Sequence, residues 1–112
     1  MYLRIYWSRI TPGAWPAVEE RYRKLTQADV PGRLVRWVTQ DVNDPDSIIT
    51  VTLWARREDI QAWEASEQYE KSVAAMKPFQ VGSQTVSLCE VVLESPNDLL
   101  SQIQQLAGKP GK

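Results

Sequence analysis

The apolar residues of this chain recur first every second residue, then every third or fourth, and this alternation of strand and helix periods restricts the fold more than any other feature. From Tyr2 to Ser8 aromatic and aliphatic side chains alternate with Arg4, which predicts a strand. Thr11-Pro12-Gly13 reads as a turn. Trp15, Val18, Tyr22 and Leu25 then share one helical stripe, with Glu19/Arg23 and Glu20/Lys24 as i,i+4 pairs on the opposite face. Pro16 fits a helix that starts near Gly13 or Ala14, since the first turn has no use for its missing N–H. After Pro31-Gly32, residues 33 to 42 and 47 to 55 read as two strands joined through Asn43-Asp44-Pro45-Asp46, a hairpin.

A second helical region begins near Arg57. Glu58 and Asp59 sit in its first turn, where the helix dipole favours anions, and Ile60 and Trp63 point inward. Ser66 is placed to cap a further segment in which Tyr69, Val73 and Met76 fall at i, i+4, i+7, closed by Pro78 before a last strand at about 84 to 94. Ser95-Pro96-Asn97-Asp98 then reads as the start of a C-terminal helix carrying Leu99, Leu100, Ile103 and Leu106, with Gly108 to Lys112 as a frayed tail.

The β-α-β-β-α-β order predicts an α+β, ferredoxin-like domain over residues 1–94 with a four-stranded antiparallel sheet, followed by a helix and tail over 95–112. Right-handed crossovers place both helices on one side of the sheet and leave the other face bare. The third strand is nonetheless apolar or β-branched on both faces, with Ile49, Val51 and Leu53 on one and Ile48, Thr50, Thr52 and Trp54 on the other. A face of that kind is usually covered. A second copy of the sheet is the economical cover, which predicts a homodimer; the C-terminal helix could instead fold over the face in a monomer, or reach across to clasp the partner.

Composition narrows the function. The 112 residues include 13 Lys and Arg against 14 Asp and Glu, so the chain lacks the basic footprint of a nucleic-acid binder. No apolar stretch is long enough to span a membrane, and Met1 to Tyr6 shows no charged start followed by a long apolar run, which predicts a protein neither exported nor inserted. Cys89 is the only cysteine, which rules out an internal disulfide and suits the cytoplasm. There is no histidine, so the commonest general base, metal ligand and haem ligand are all missing. The five Trp and four Tyr are the residues from which a small-molecule pocket could be built.

Residues 2 to 94 resemble the antibiotic biosynthesis monooxygenase family of dimeric α+β barrels. The resemblance rests on the early Thr11-Pro12-Gly13 turn and above all on the run from Thr52-Leu53-Trp54 through Glu58-Asp59 and Trp63 to Ser66 and Tyr69. It implies a dimer acting on a small aromatic molecule. The haem-degrading branch is similar but uses an Asn, a Trp and a haem-ligating His where this chain has Tyr6, Trp63 and Val73, which argues against haem. The quinol-oxidising branch works without metal or flavin and carries Asn-x3-Trp-x5-Tyr on its second helix, with an Arg nearer the last strand. This chain has Asp59-x3-Trp63-x5-Tyr69, with Ser83 or Gln84 in place of the Arg.

The implied reading is a monooxygenase with no cofactor. In it Trp63 stacks on the substrate ring, Tyr69 binds a substrate oxygen, Asp59 takes a proton, and Tyr6, Arg4, Arg36 and Trp54 complete the binding site. Arg4 and Arg36 lie within strands, and a shift of one residue in register would turn either away from the pocket. The alternative is a catalytically silent ligand-binding or assembly module in which Trp63 and Tyr69 only pack a core, Asp59 is a helix-start anion and Trp54 fills the dimer seam. A cavity of about 300 Å3 or more lined by Tyr6, Trp63 and Tyr69 would favour the enzyme.

Overall fold

The computed structural model describes residues 1–107; the frayed tail expected from Gly108 to Lys112 lies outside the described residues. The elements follow the expected order: β1 (Tyr2–Ile10), α1 (Trp15–Gln27), β2 (Arg33–Gln40), β3 (Ser47–Trp54), α2 (Arg57–Glu64), α3 (Glu67–Met76), β4 (Gln80–Glu90) and α4 (Leu99–Ala107). A short 3-10 turn, Lys77–Phe79, links α3 to β4. The four strands form one antiparallel sheet in the order β2-β3-β1-β4, the ferredoxin-like arrangement. Among the described residues no helix is long and apolar enough to cross a membrane.

Strand alternation divides the sheet. Ile10, Ser8, Arg4, Ile48, Thr50, Thr52 and Trp54 are all buried on the helix-covered face. One core cluster joins Ile10, Val18, Tyr22, Ile48 and Met76, and a second joins Val30, Trp54 and Ile60. On the other face Leu53 is buried at 2% exposure, Ile5, Trp7, Ile49 and Val51 are only half-buried and Trp37 remains 49% exposed, while α4 lies against β2.

Several boundaries differ from the sequence expectation, among them the end of β4, which stops at Glu90 and not at 94. β2 ends at Gln40 because the Asp41 carboxylate accepts the N–H groups of Asn43 and Asp44 and starts the turn early. β4 begins at Gln80, four residues before the expected 84, and a register shift opposite Trp7 to Arg9 near Gly82 (φ 71°) takes up the irregularity. α4 starts at Leu99 and not at Pro96, and the Glu94 carboxylate, in place of Ser95, accepts the Leu100 N–H.

Between α2 and α3 the chain breaks at Ala65-Ser66. The Ser66 hydroxyl accepts the Tyr69 N–H at 3.1 Å and donates to the Trp63 carbonyl at 2.6 Å. This is an N-cap, and it sets the direction in which α3 leaves.

Candidate functional site

The site begins with sheet register. Arg4 of β1 and Arg36 of β2 both pair with Thr52 of β3, so the three stand in one row on the helix-covered face. Tyr6 and Val38 form the next row around Thr50. Over these rows lie Tyr22 and Leu25 of α1, Trp63 of α2, and Tyr69, Ser72, Val73 and Met76 of α3. Together with Gln80 they enclose a cavity.

Arg4 is 8% exposed. Its Nε donates to the Glu64 carboxylate at 2.8 Å and its Nη2 to the Tyr69 hydroxyl at 2.9 Å. Its guanidinium carbon lies 5.4 Å from the centre of the Tyr69 ring and 5.9 Å from that of Tyr6, within cation–π range. Trp63 meets Tyr69 edge-on, with ring centroids 5.4 Å apart. Arg36 is bound less completely. Its Nε donates to Thr26 Oγ1 at 3.1 Å and its guanidinium lies over Tyr22, but among the described residues no carboxylate pairs with it. Burial, with the like charges of Arg33 and Arg4 added, pushes its pKa down to about 10.

Tyr6 accepts a hydrogen bond from the Gln80 amide at 2.7 Å, and burial raises the pKa of its phenol. Thr50, 7% exposed, has a buried hydroxyl with no partner among the described residues, as does Ser8. No Asp or Glu among the described residues lines the cavity. Among the described residues no three His, Cys, Asp or Glu side chains are grouped to hold a metal ion.

The cavity measures about 70 Å3. An open groove of about 470 Å3 adjoins it between α1 and α3, sharing Leu25 and Ser72 and walled by Glu67, Gln68, Lys71 and Ala75. The inner space alone falls below the range of roughly 300 to 1,000 Å3 that encloses a drug-sized ligand.

A family model for antibiotic biosynthesis monooxygenases matches residues 1–75, about two thirds of the chain. The chain belongs to the antibiotic biosynthesis monooxygenase family. A crystal structure of an antibiotic biosynthesis monooxygenase is 25% identical, with a TM-score of 0.74, covering 83% of this chain and 100% of its own. SnoaB from Streptomyces nogalater, a cofactor-independent oxygenase solved as a single-residue variant, shares the fold at 12% identity, with a TM-score of 0.76 over 86% of this chain and 97% of its own. Rv0793 from Mycobacterium tuberculosis does so at 13% identity and a TM-score of 0.70, over 84% of this chain and 97% of its own. No curated protein sequence matches the chain.

Of the residues singled out from the sequence, this family member brings Arg4, Tyr6, Arg36, Trp63 and Tyr69 together around the cavity. Trp54 and Asp59 are placed elsewhere. Trp54 is fully buried in the second core cluster, where its indole N–H donates to Thr52 Oγ1 at 2.7 Å, so it lines neither the cavity nor a seam on the open face. Asp59 packs against Gly32, leaving no room there for a Cβ. Val73, at the position of the haem ligand in the haem-degrading branch, gives the cavity an apolar wall.

Sequence reasoning did not single out Glu64, Tyr22, Thr50 and Gln80. A signal existed for Thr50, since a hydroxyl two residues from Ile48 on a face expected to be buried requires a partner. None existed for Glu64, which looks like any other surface helix residue.

Proposed function

We propose that this protein is a cofactor-independent monooxygenase acting on a quinol-like or polycyclic phenol with O2. The carrying observation is Arg4, a nearly buried cation bonded to Tyr69 and sharing one cavity with a second arginine. A nearby cation lowers a phenol pKa by roughly 1 to 3 units, so Arg36, together with Arg4 as far as Glu64 leaves its charge uncompensated, favours binding as the phenolate.

The phenolate carries the reaction. Its negative charge is shared with the ring carbons ortho and para to the oxygen, and one of these that carries a hydrogen gives one electron to O2. The resulting pair combines to a peroxide, and loss of water leaves a carbonyl. One C–H becomes C=O, one oxygen atom enters the product and the other leaves as water, with the substrate supplying every electron. The protein's part is to hold the ring dry and oriented. Trp63 flanks the ring. Tyr69 and Tyr6 accept from Arg4 and Gln80 and so keep their own protons free for substrate oxygens. Asp59 has no part in this scheme because it does not line the cavity.

We infer that the working unit is a homodimer. The half-buried open face with exposed Trp37 offers one apolar surface for it, and the exposed edge strand β4 offers another, with Val86 and Leu88 on the helix side beside Tyr6 and Arg4. The lone, exposed Cys89 suits the cytoplasm.

A second reading, a silent binding module, draws on the small cavity and on the packing of Trp63 against Tyr69. Oxygen uptake by metal-free protein with naphthohydroquinones and anthrones, beside folded Trp63→Ala and Tyr69→Phe variants, decides between them. Saturable uptake that either variant loses supports the enzyme. Uptake no faster than buffer removes it for those substrates.

A further inference from the structure

The cavity presents more hydrogen-bond donors than its own residues can use. Tyr6 and Tyr69 each accept a bond and keep a free O–H, and the Thr50 hydroxyl has no partner among the described residues. Arg36 has only Thr26 Oγ1 against its Nε. Arg4 is occupied by Glu64 and Tyr69, and no carboxylate lines the wall. Buried donors without acceptors are costly, and the group that satisfies such a set is an oxyanion.

The register locates it. Thr50 and Thr52 lie on the same face of β3, about 7 Å apart by strand geometry. Arg36 stands beside Thr52, on the side away from Arg4. The Cα atoms of the two arginines are two strands apart, about 10 Å, and flank Thr52. One end of the row therefore has a cation already paired with Glu64, and the other a cation free of any carboxylate among the described residues.

We propose that Arg36 and Thr50 form a carboxylate subsite, and that the substrate is a phenolic acid whose hydroxyl lies toward Arg4 and Tyr69 and whose carboxylate lies toward Arg36. The inference deepens the monooxygenase reading and rests on it for the reaction, though not for binding. Arg4, Tyr69, Arg36 and Thr50 all line the inner cavity, so the ring between the two polar ends lies there, with any larger body extending into the α1/α3 groove.

The test is anaerobic calorimetry on the full chain with 4-hydroxybenzoate and its neutral isostere 4-hydroxybenzamide. The acid is expected to bind about tenfold tighter or more, the effect of one desolvated charge-assisted pair. Thr50→Val, which keeps the shape of the side chain, and Arg36→Gln should each reduce that ratio, and Arg36→Lys should keep part of it. Equal affinity for the two ligands, binding of neither, or a preference that persists in folded Thr50→Val and Arg36→Gln proteins overturns the subsite. Preference for the acid without oxygen uptake on any phenol would remove the monooxygenase and leave the subsite. Uptake on uncharged naphthohydroquinones without that preference would do the reverse.

Discussion

The Nη2 of Arg4 donates to the hydroxyl of Tyr69 across 2.9 Å, tying β1 to α3 over 65 residues of sequence. Tyr69→Phe removes the acceptor and leaves a nearly buried N–H facing carbon. The expected loss of stability is about 1 to 3 kcal/mol, measured by urea unfolding. If the phenolate is held here, turnover should fall by more than the small fraction unfolded can account for.

Glu64 neutralises Arg4 from a position where its side chain is 41% exposed. Glu64→Gln should therefore cost at most about 1 kcal/mol, less in high salt. It also leaves the cavity more positive, so a bound phenol should ionise at lower pH. Ultraviolet titration of the bound phenol should show a downward shift of about half a unit.

Arg36 makes the opposite case, a cation whose presence in the empty site opposes folding. Burial lowers its folded pKa to about 10, below that of a free guanidinium, so between those two the unfolded chain binds more protons and stability rises with pH. Below about 10 the charged form carries the full penalty. Arg36→Met should be the more stable protein at pH 7 by about 1 kcal/mol, with the difference narrowing above pH 10. Paired unfolding curves at pH 7 and pH 10.5 check both parts.

Gly32 has a φ of 83° and the Asp59 side chain lies where its Cβ would be. Gly32→Ala should destabilise by about 2 kcal/mol or more, combining backbone strain with the clash. In the Gly32→Ala/Asp59→Gly double variant the clash disappears and the strain remains, so part of the loss should return in a double-mutant cycle. Asp59→Asn alone should leave oxygen uptake with any active substrate unchanged.

These residues also show what could be read from the sequence. β3 was legible because Ile48, Thr50, Thr52 and Trp54 alternate with Ile49, Val51 and Leu53, and α3 because Ser66 announces its cap. The start of β4 was hidden: an edge strand exposed along most of its length has no apolar rhythm, and Gly82 interrupts what there is. Arg4 and Arg36 were visible as arginines inside strands, but their common face became known only from their shared pairing with Thr52. Trp54 and Asp59 misled for a related reason. Spacing along the chain places them near Trp63, whereas packing takes one into the core and the other to the turn before β2.

The capped break at Ser66 bears on how this pocket can vary. On one continuous helix, residues 63 and 69 would project about 120° apart around the axis and could not both face the same cavity. Because the chain restarts after Ser66, the aim of the indole follows α2 and the aim of the phenol follows α3. A substitution that tilts one helix re-aims one ring and leaves the other in place, so a lineage could adjust its two aromatic walls one at a time.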